Sequence, residues 1–266
     1  GLSGNGVLLA CIDSGVDYAH PDFCAPDGTS RIAILWDQTI PGNPPMGYAL
    51  GSVYTRQQIN EALASSTPEE RFALVPSRDV TGHGTAVLGI AAGNGRSSAD
   101  AAMRGVAPEA TLVVVKLGNP DPADLPRTSQ LLQAVDFCVR YALLVERPLV
   151  INLSFGNNYG SHSGDSLLET YLNAVSNLGQ NVICIGAGNE GDTGRHYTGN
   201  LKSDRKSSGQ TQTVRATSDP AATSAVSATA DRAVSVEFQV GAYESSFSLQ
   251  IWKVYGDEIS IELISP

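Results

Sequence analysis

The chain has 266 residues, 42% of them hydrophobic and 17% charged, with 27 glycines. This composition excludes disordered and fibrous classes, and the length leaves room for one large core, or for one α/β domain plus part of another. A net charge of −10, from 17 Lys and Arg against 27 Asp and Glu, argues against a nucleic-acid-binding face, because phosphate binding needs clustered cations and no basic run is present.

In chain order, residues 1–6 read as neither a signal peptide nor a membrane span, so any targeting segment or propeptide is expected to be absent from this sequence. The apolar run at residues 7–12 ends at Asp13 and breaks at Gly15; similar runs occupy 31–36, 112–117, 149–155 and 181–187. They are too continuously apolar to have a wet face, and predict strands buried in a parallel sheet. Helical spacing covers 55–64, a segment beginning near His83, 129–145 and 165–178. Thr128 or Ser129 and Ser163 are the expected caps, and Gly179 the expected stop. Alternation of this kind implies right-handed crossovers, with sites at the carboxyl ends of the strands, where Asp13, Ser154 and residues 186–189 fall.

Composition shifts near residue 200. Residues 203–230 are rich in Ser, Thr, Ala and Gly. Alternating runs follow at Val234, Val236, Phe238 and Val240, at Phe247, Leu249 and Ile251, and at Ile259, Ile261 and Leu263. They predict half-buried antiparallel strands and the beginning of a β-sandwich or jelly-roll insert. The expected organisation is a core over 1–200 and a linker with the start of this insert over 201–266. Cysteines 11, 24, 138 and 184 lack the paired spacings of a zinc or redox site. Cys11 and Cys184 lie in apolar runs and are expected to be buried as small hydrophobes, which leans toward a reducing setting.

Three segments carry chemistry. Ala10-Cys-Ile-Asp-Ser-Gly places Asp13 at a strand terminus, where a rigid, partly desolvated carboxylate can fix a histidine's tautomer. Asp79-Val-Thr-Gly-His-Gly-Thr-Ala sets His83 between two glycines ahead of a small-residue helix, which gives a base both access and rigid support. His20, His162 and His196 lack this setting and read as structural or surface residues. In Asn181-Val-Ile-Cys-Ile-Gly-Ala-Gly-Asn a strand empties into small residues before Asn189, an uncharged amide able to donate to a developing oxyanion. Taken singly, each segment is also compatible with ordinary turn chemistry.

Together, in the order Asp, His, Asn, they resemble the aspartate, histidine and oxyanion motifs of the subtilisin-like serine peptidases. His20-Pro-Asp-Phe, Arg104-Gly-Val-Ala-Pro and Ile151-Asn-Leu-Ser-Phe-Gly extend the resemblance over residues 5 to 200. It implies a three-layer α/β core and an endopeptidase in which Asp13 orients His83, His83 moves the proton, and Asn189 holds the oxyanion. Ser154, Phe155 and Gly156 would be the edge that pairs with an extended peptide, and Gly186, Ala187 and Gly188 a wall of the side-chain pocket. Asn157 follows Gly156 where many relatives have glycine, which alters the expected local backbone. The implied partners are a protein or peptide substrate, a propeptide and the remaining C-terminal part of the same protein, with no nucleic acid and no membrane.

The nucleophile of that family lies in a Gly-Thr-Ser-Xaa-Ala segment, and nothing after Asn189 matches it. Gly28-Thr29-Ser30 precedes His83 in a turn and is not that nucleophile. The serine is therefore expected outside this chain; the rival reading is a catalytically inactive pseudoprotease that binds or regulates. A β insert after Asn189, with Leu35-Trp-Asp-Gln-Thr-Ile and Asp17-Tyr-Ala-His-Pro-Asp-Phe, is similar to the clostridial germination proteases, which would suit a secreted or spore-associated protein. Asp22 matches a family position that can ligate calcium, but Asn94 and Asp100 with carbonyls supply too few oxygens, so neither a metal nor another cofactor is expected.

Overall fold

The computed structural model describes residues 2–119, 126–156, 159–189, 191 and 197–198, with short stretches between 213 and 263. The chain divides into two compact units, one of Gly1–Gly156 with Gly164–Gly186, the other of Asn157–Ser163 with Ala187–Pro266.

The first unit runs β1 (Leu8–Asp13), β2 (Ile32–Asp37), β3 (Ser52–Thr55), α1 (Arg56–Leu63), α2 (Pro68–Leu74), α3 (His83–Ala92), β4 (Thr111–Lys116), α4 (Thr128–Leu144), β5 (Leu149–Leu153), α5 (Leu167–Ser176) and β6 (Asn181–Ile185). Six strands form one sheet in the order β3-β2-β4-β1-β5-β6. All neighbours are parallel except β2 and β3. In β1 successive side chains point to opposite faces. Leu8, Ala10 and Ile12 join a cluster with Leu131, Ala134, Val135 and Cys138 of α4 and Leu172 and Val175 of α5. Leu9 and Cys11 join the other, with Leu88 and Ala92 of α3 and Ile59 and Ala62 of α1. Helices therefore cover both faces, which is why β1 is buried at every position and reads as unbroken apolar sequence. Each fully buried Leu or Ile contributes on the order of 1.5–3 kcal/mol from removal of apolar area.

Several local expectations are corrected. The antiparallel strand β3 was not anticipated: its four residues alternate in burial and are too short for a periodic signal. Nor was α2, which buries no residue; it rests on a capping box between Thr67 and Glu70 and on Pro68 in its first turn. The cap of α4 is Arg127 in place of Thr128 or Ser129. Ser166 caps α5 in place of Ser163, its hydroxyl accepting from Glu169 N while the Glu169 carboxylate accepts from Ser166 N at 2.9 Å. The C-cap of α5 is Asn177, and Gly179, the expected stop, lies beyond it in the following turn at φ +66°. Cys184 is exposed rather than buried. It shares β6 with Val182, which is 55% exposed. Ile183 faces the cluster that holds α5, whereas the opposite face of this end strand is not closed over by the described residues.

In the second unit, Thr213–Val214 pairs antiparallel with Ser224–Ala225, and Ala228–Thr229 with Ala233–Val234. The described residues 248–253 and 261–263 of the later alternating runs form no strand. Alternation supplies a face, but a strand exists only through a hydrogen-bonded neighbour and something to cover that face, and Leu249, Ile251 and Leu263 stay 46–68% exposed. Asn157, His196, most of the polar segment 203–230, and Val240, Phe247 and Ile259 of the alternating runs lie outside the described residues. No helix among the described residues is long and apolar enough to cross a membrane.

Candidate active site

The site is built where β1 ends. Asp13 closes that strand in register with Lys116, the last residue of β4, and is 6% exposed. α3 begins at His83 beside it, packed against β1 through Leu88 and Ala92. His83 Nδ1 lies 2.7 Å from Asp13 Oδ1, with side-chain exposures of 56% and 4%. A buried carboxylate thus holds one nitrogen of a ring whose remainder is open to solvent. Oδ1 also accepts from Ser14 N at 2.7 Å. Hydrogen bonding to Asp13, then its charge, raises the His83 pKa above the ordinary value, with burial opposing and the Asp79 charge adding to the rise. With Nδ1–H donating to the carboxylate, Nε2 carries the free lone pair and is the basic atom.

Close approach makes this contact possible. α3 starts after Gly82, whose φ of +76° suits glycine, and Gly84 lies against the turn after β1. A Cβ on Gly84 would fall on Gly15 O and reach Asp13 Cβ at 3.1 Å. Gly84→Ala is accordingly expected to cost about 1–3 kcal/mol, the range for overpacking. Denaturant unfolding of this chain measures that loss, and an unchanged midpoint would contradict the close contact. The helix start is satisfied by a neighbouring acid. Asp79 Oδ1 accepts from Ser14 Oγ at 2.8 Å and Gly82 N at 3.0 Å, and Oδ2 from Thr85 N at 2.8 Å and Thr85 Oγ1 at 2.6 Å. The motif reading passed over this residue. Its signal was available, since an Asp three residues before the first glycine of Gly-His-Gly has the spacing of a cap.

Of the other expected site residues, Ser154, Phe155 and Gly156 follow β5; Phe155 is packed against the core, and Ser154 Oγ accepts from Asn152 Nδ2 at 2.9 Å. Gly186 extends the pairing of β6, donating to Leu153 O at 3.0 Å. Those four residues therefore sit at adjacent strand ends. Ala187, Gly188 and Asn189 belong to the second unit and are exposed, with Gly188 at φ +89°. His20 is structural, its Nδ1 accepting from Asp22 N at 3.3 Å and its ring lying against Phe23. His162 is exposed. A concavity of about 340 Å³ lined by Leu8, Thr111 and Arg147 opens at the amino ends of β1 and β4, opposite the Asp13–His83 pair.

Asp22 is buried, but its surroundings do not fit a calcium ion. Oδ1 accepts from Ser97 N at 2.7 Å. The Asp22 carbonyl accepts from Arg31 at 2.9 Å, and those of Cys24 and Ala25 from Arg96. Guanidinium groups stand where a cation would need six to eight oxygens, and no cluster of three His, Cys, Asp or Glu suited to a metal occurs among the described residues.

Comparison with known proteins bears on the family. The model of the subtilase family matches residues 4–254. The major intracellular serine protease of Bacillus subtilis is 29% identical over 193 residues, 72% of this chain and 46% of that protein. Subtilisin amylosacchariticus from Bacillus subtilis subsp. amylosacchariticus is 27% identical over 198 residues, 74% of this chain and 38% of that protein. Among solved structures, the CspB protease of Clostridium perfringens is similar, with a TM-score of 0.64 and 36% identity over 73% of this chain and 38% of that one. The chain spans less than half the length of these relatives. A mainly parallel three-layer core, an aspartate at the end of β1, a histidine opening α3 and a family match across 4–254 converge on one conclusion: this chain belongs to the subtilase family.

Proposed function

We propose that the chain carries the base and its orienting acid for a serine endopeptidase that works through an acyl-enzyme. The observation that carries this reading is the 2.7 Å contact between buried Asp13 and exposed His83. Asp13 holds the ring in the tautomer that leaves Nε2 basic; Nε2 takes the proton of a serine hydroxyl as it attacks the scissile carbonyl and returns it to the leaving amine. Asn189 donates to the tetrahedral oxyanion. Residues 154–156 pair with an extended substrate and 186–188 line its side-chain pocket, a sequence-tolerant mode that leaves specificity to the pockets. The sequence contains no Gly-Thr-Ser-Xaa-Ala segment after Asn189, so the nucleophile is assigned to a further part of the parent protein, and the core is placed within 1–200.

The test is a fluorophosphonate probe on the full-length protein. Labelling of a serine beyond residue 266 that disappears in His83→Ala supports the peptidase. A folded full-length protein that takes no label would establish the pseudoprotease instead. The same reading holds calcium dispensable, because Arg31 and Arg96 occupy the carbonyls around Asp22. Chelator and millimolar calcium are expected to leave the melting temperature of this chain unchanged within about 1 °C, well inside the 2–4 °C per kcal/mol expected at this size. A calcium-dependent rise of several degrees would overturn it.

A further inference from the structure

We infer that Asp79 is a positioning residue for the Asp13–His83 couple, acting through the hydroxyl of Ser14; the inference rests on the proposed peptidase reading only for its effect on turnover. Asp13 and His83 are 70 residues apart in sequence, and each has a neighbour tied to this one carboxylate. Ser14, next to Asp13, donates from Oγ to Asp79 Oδ1 at 2.8 Å and accepts at the same oxygen from Gly84 N, next to His83, at 3.0 Å. The hydroxyl is thus a two-sided pin between the end of β1 and the first turn of α3.

The remaining donors explain why an acid is needed. α3 has no side-chain cap of its own, because Gly82 stands at the cap position. Its first backbone N–H groups need acceptors. Asp79 takes Gly82 N and Thr85 N directly. It reaches His83 N through Thr81, whose Oγ1 donates to Oδ1 at 3.3 Å and accepts from His83 N at 3.3 Å. Thr85 Oγ1 donates to Oδ2 and accepts from Asp17 N at 2.9 Å, so the loop after β1 is bound as well. A carboxylate can accept all of these at once, while an amide offers one oxygen. The negative charge also lies at the positive end of a ten-residue helix. Burial works against this charge, but hydrogen bonds from Thr85, Ser14 and Gly82 outweigh it and keep the carboxyl below the usual range. Beside Asp13 and Asp79, the titratable and charged groups here are Asp17, whose carboxylate accepts from Ala19 N at 3.1 Å, the buried Cys11 thiol, which lies against Gly84 O, Lys116, whose Nζ donates to Arg78 O at 2.5 Å, and Arg78, whose guanidinium lies 3.7 Å from the Phe72 ring centre.

The test uses Asp79→Asn, Ser14→Ala and the double variant. In this chain, the His83 imidazole is titrated by NMR and its Nδ1–H resonance followed; neither readout needs the nucleophile. Asp79→Asn is expected to lower the His83 pKa and to weaken or shift that resonance. In the full-length protein it is expected to lower kcat about 10²-fold at nearly constant KM, the scale for misplacing a catalytic group by about 1 Å. If Asp79 acts through Ser14, the double variant loses no more kcat than Asp79→Asn alone, whereas independent sites would add. A folded Asp79→Asn chain with an unchanged His83 titration and Nδ1–H resonance overturns the inference, even if its melting temperature falls. Absence of turnover in the unsubstituted full-length protein would overturn the peptidase reading and leave the titration to decide this one.

Discussion

Replacing His83 by alanine in the full-length protein is expected to lower kcat about 10⁶-fold toward a peptide amide, with KM little changed, the scale on which removing the catalytic base of subtilisin acts. On the proposed peptidase reading, removing the imidazole leaves the serine hydroxyl without a proton acceptor, and only oxyanion stabilisation and substrate binding would continue to accelerate the reaction. His83 suits this test because its side chain is 56% exposed and stands at the first position of α3, outside both core clusters. Its removal is expected to leave the unfolding midpoint nearly unchanged, so lost turnover reports chemistry. Steady-state kinetics on a chromogenic peptide measures it; a loss smaller than about 10²-fold would place the base elsewhere, since general-base catalysis alone supplies 10²–10⁴.

Asp13→Asn is expected to cost about 10⁴-fold in kcat, as the equivalent change does in other serine peptidases. The amide no longer offers two equivalent oxygens, so Nδ1–H of His83 loses its charged acceptor and the ring is free to adopt the tautomer that leaves Nε2 protonated. A pH profile separates this from simple misfolding. In the unsubstituted protein the hydrogen bond to Asp13, then its charge, raises the His83 pKa. The base is active only when neutral, so turnover climbs with rising pH through a value above the ordinary ~6.5. Asp13→Asn removes the raising influence, so the acid limb moves to lower pH while the plateau falls. An Asp13→Asn protein whose acid limb stayed in place would show that another group controls the histidine.

Much of the fold was legible because its central strands are covered twice. β1 and β4 lie between two helical layers, so nearly every position is apolar and the runs stand out. The helices were legible where one face is buried, as in α4, whose Leu131, Ala134, Val135, Cys138 and Ala142 follow helical spacing. Elements stabilised by something other than a buried stripe escaped this reading: α2 by its caps, β3 by its pairing with β2. Of the alternating runs beyond residue 230, Val234 lies in an antiparallel pair, while the described residues 248–253 and 261–263 form no strand, since alternation describes a surface and not the partner that must cover it.

The sequence by itself determined the residue types and their order: Asp13 at the end of an apolar strand, His83 between glycines, Asn189 after small residues, and with them the family. It could do so because those motifs are local, each set by a strand end or a helix start. Only the tertiary structure decided that Asp13 and His83 meet at 2.7 Å, that Gly84 leaves no room for a Cβ against Gly15, and that Asp79 and Ser14 join the two elements. Those facts depend on the register of β1 against β4 and on how closely α3 approaches the strand end. They arise from packing between segments some 70 residues apart, which no periodicity within either segment encodes.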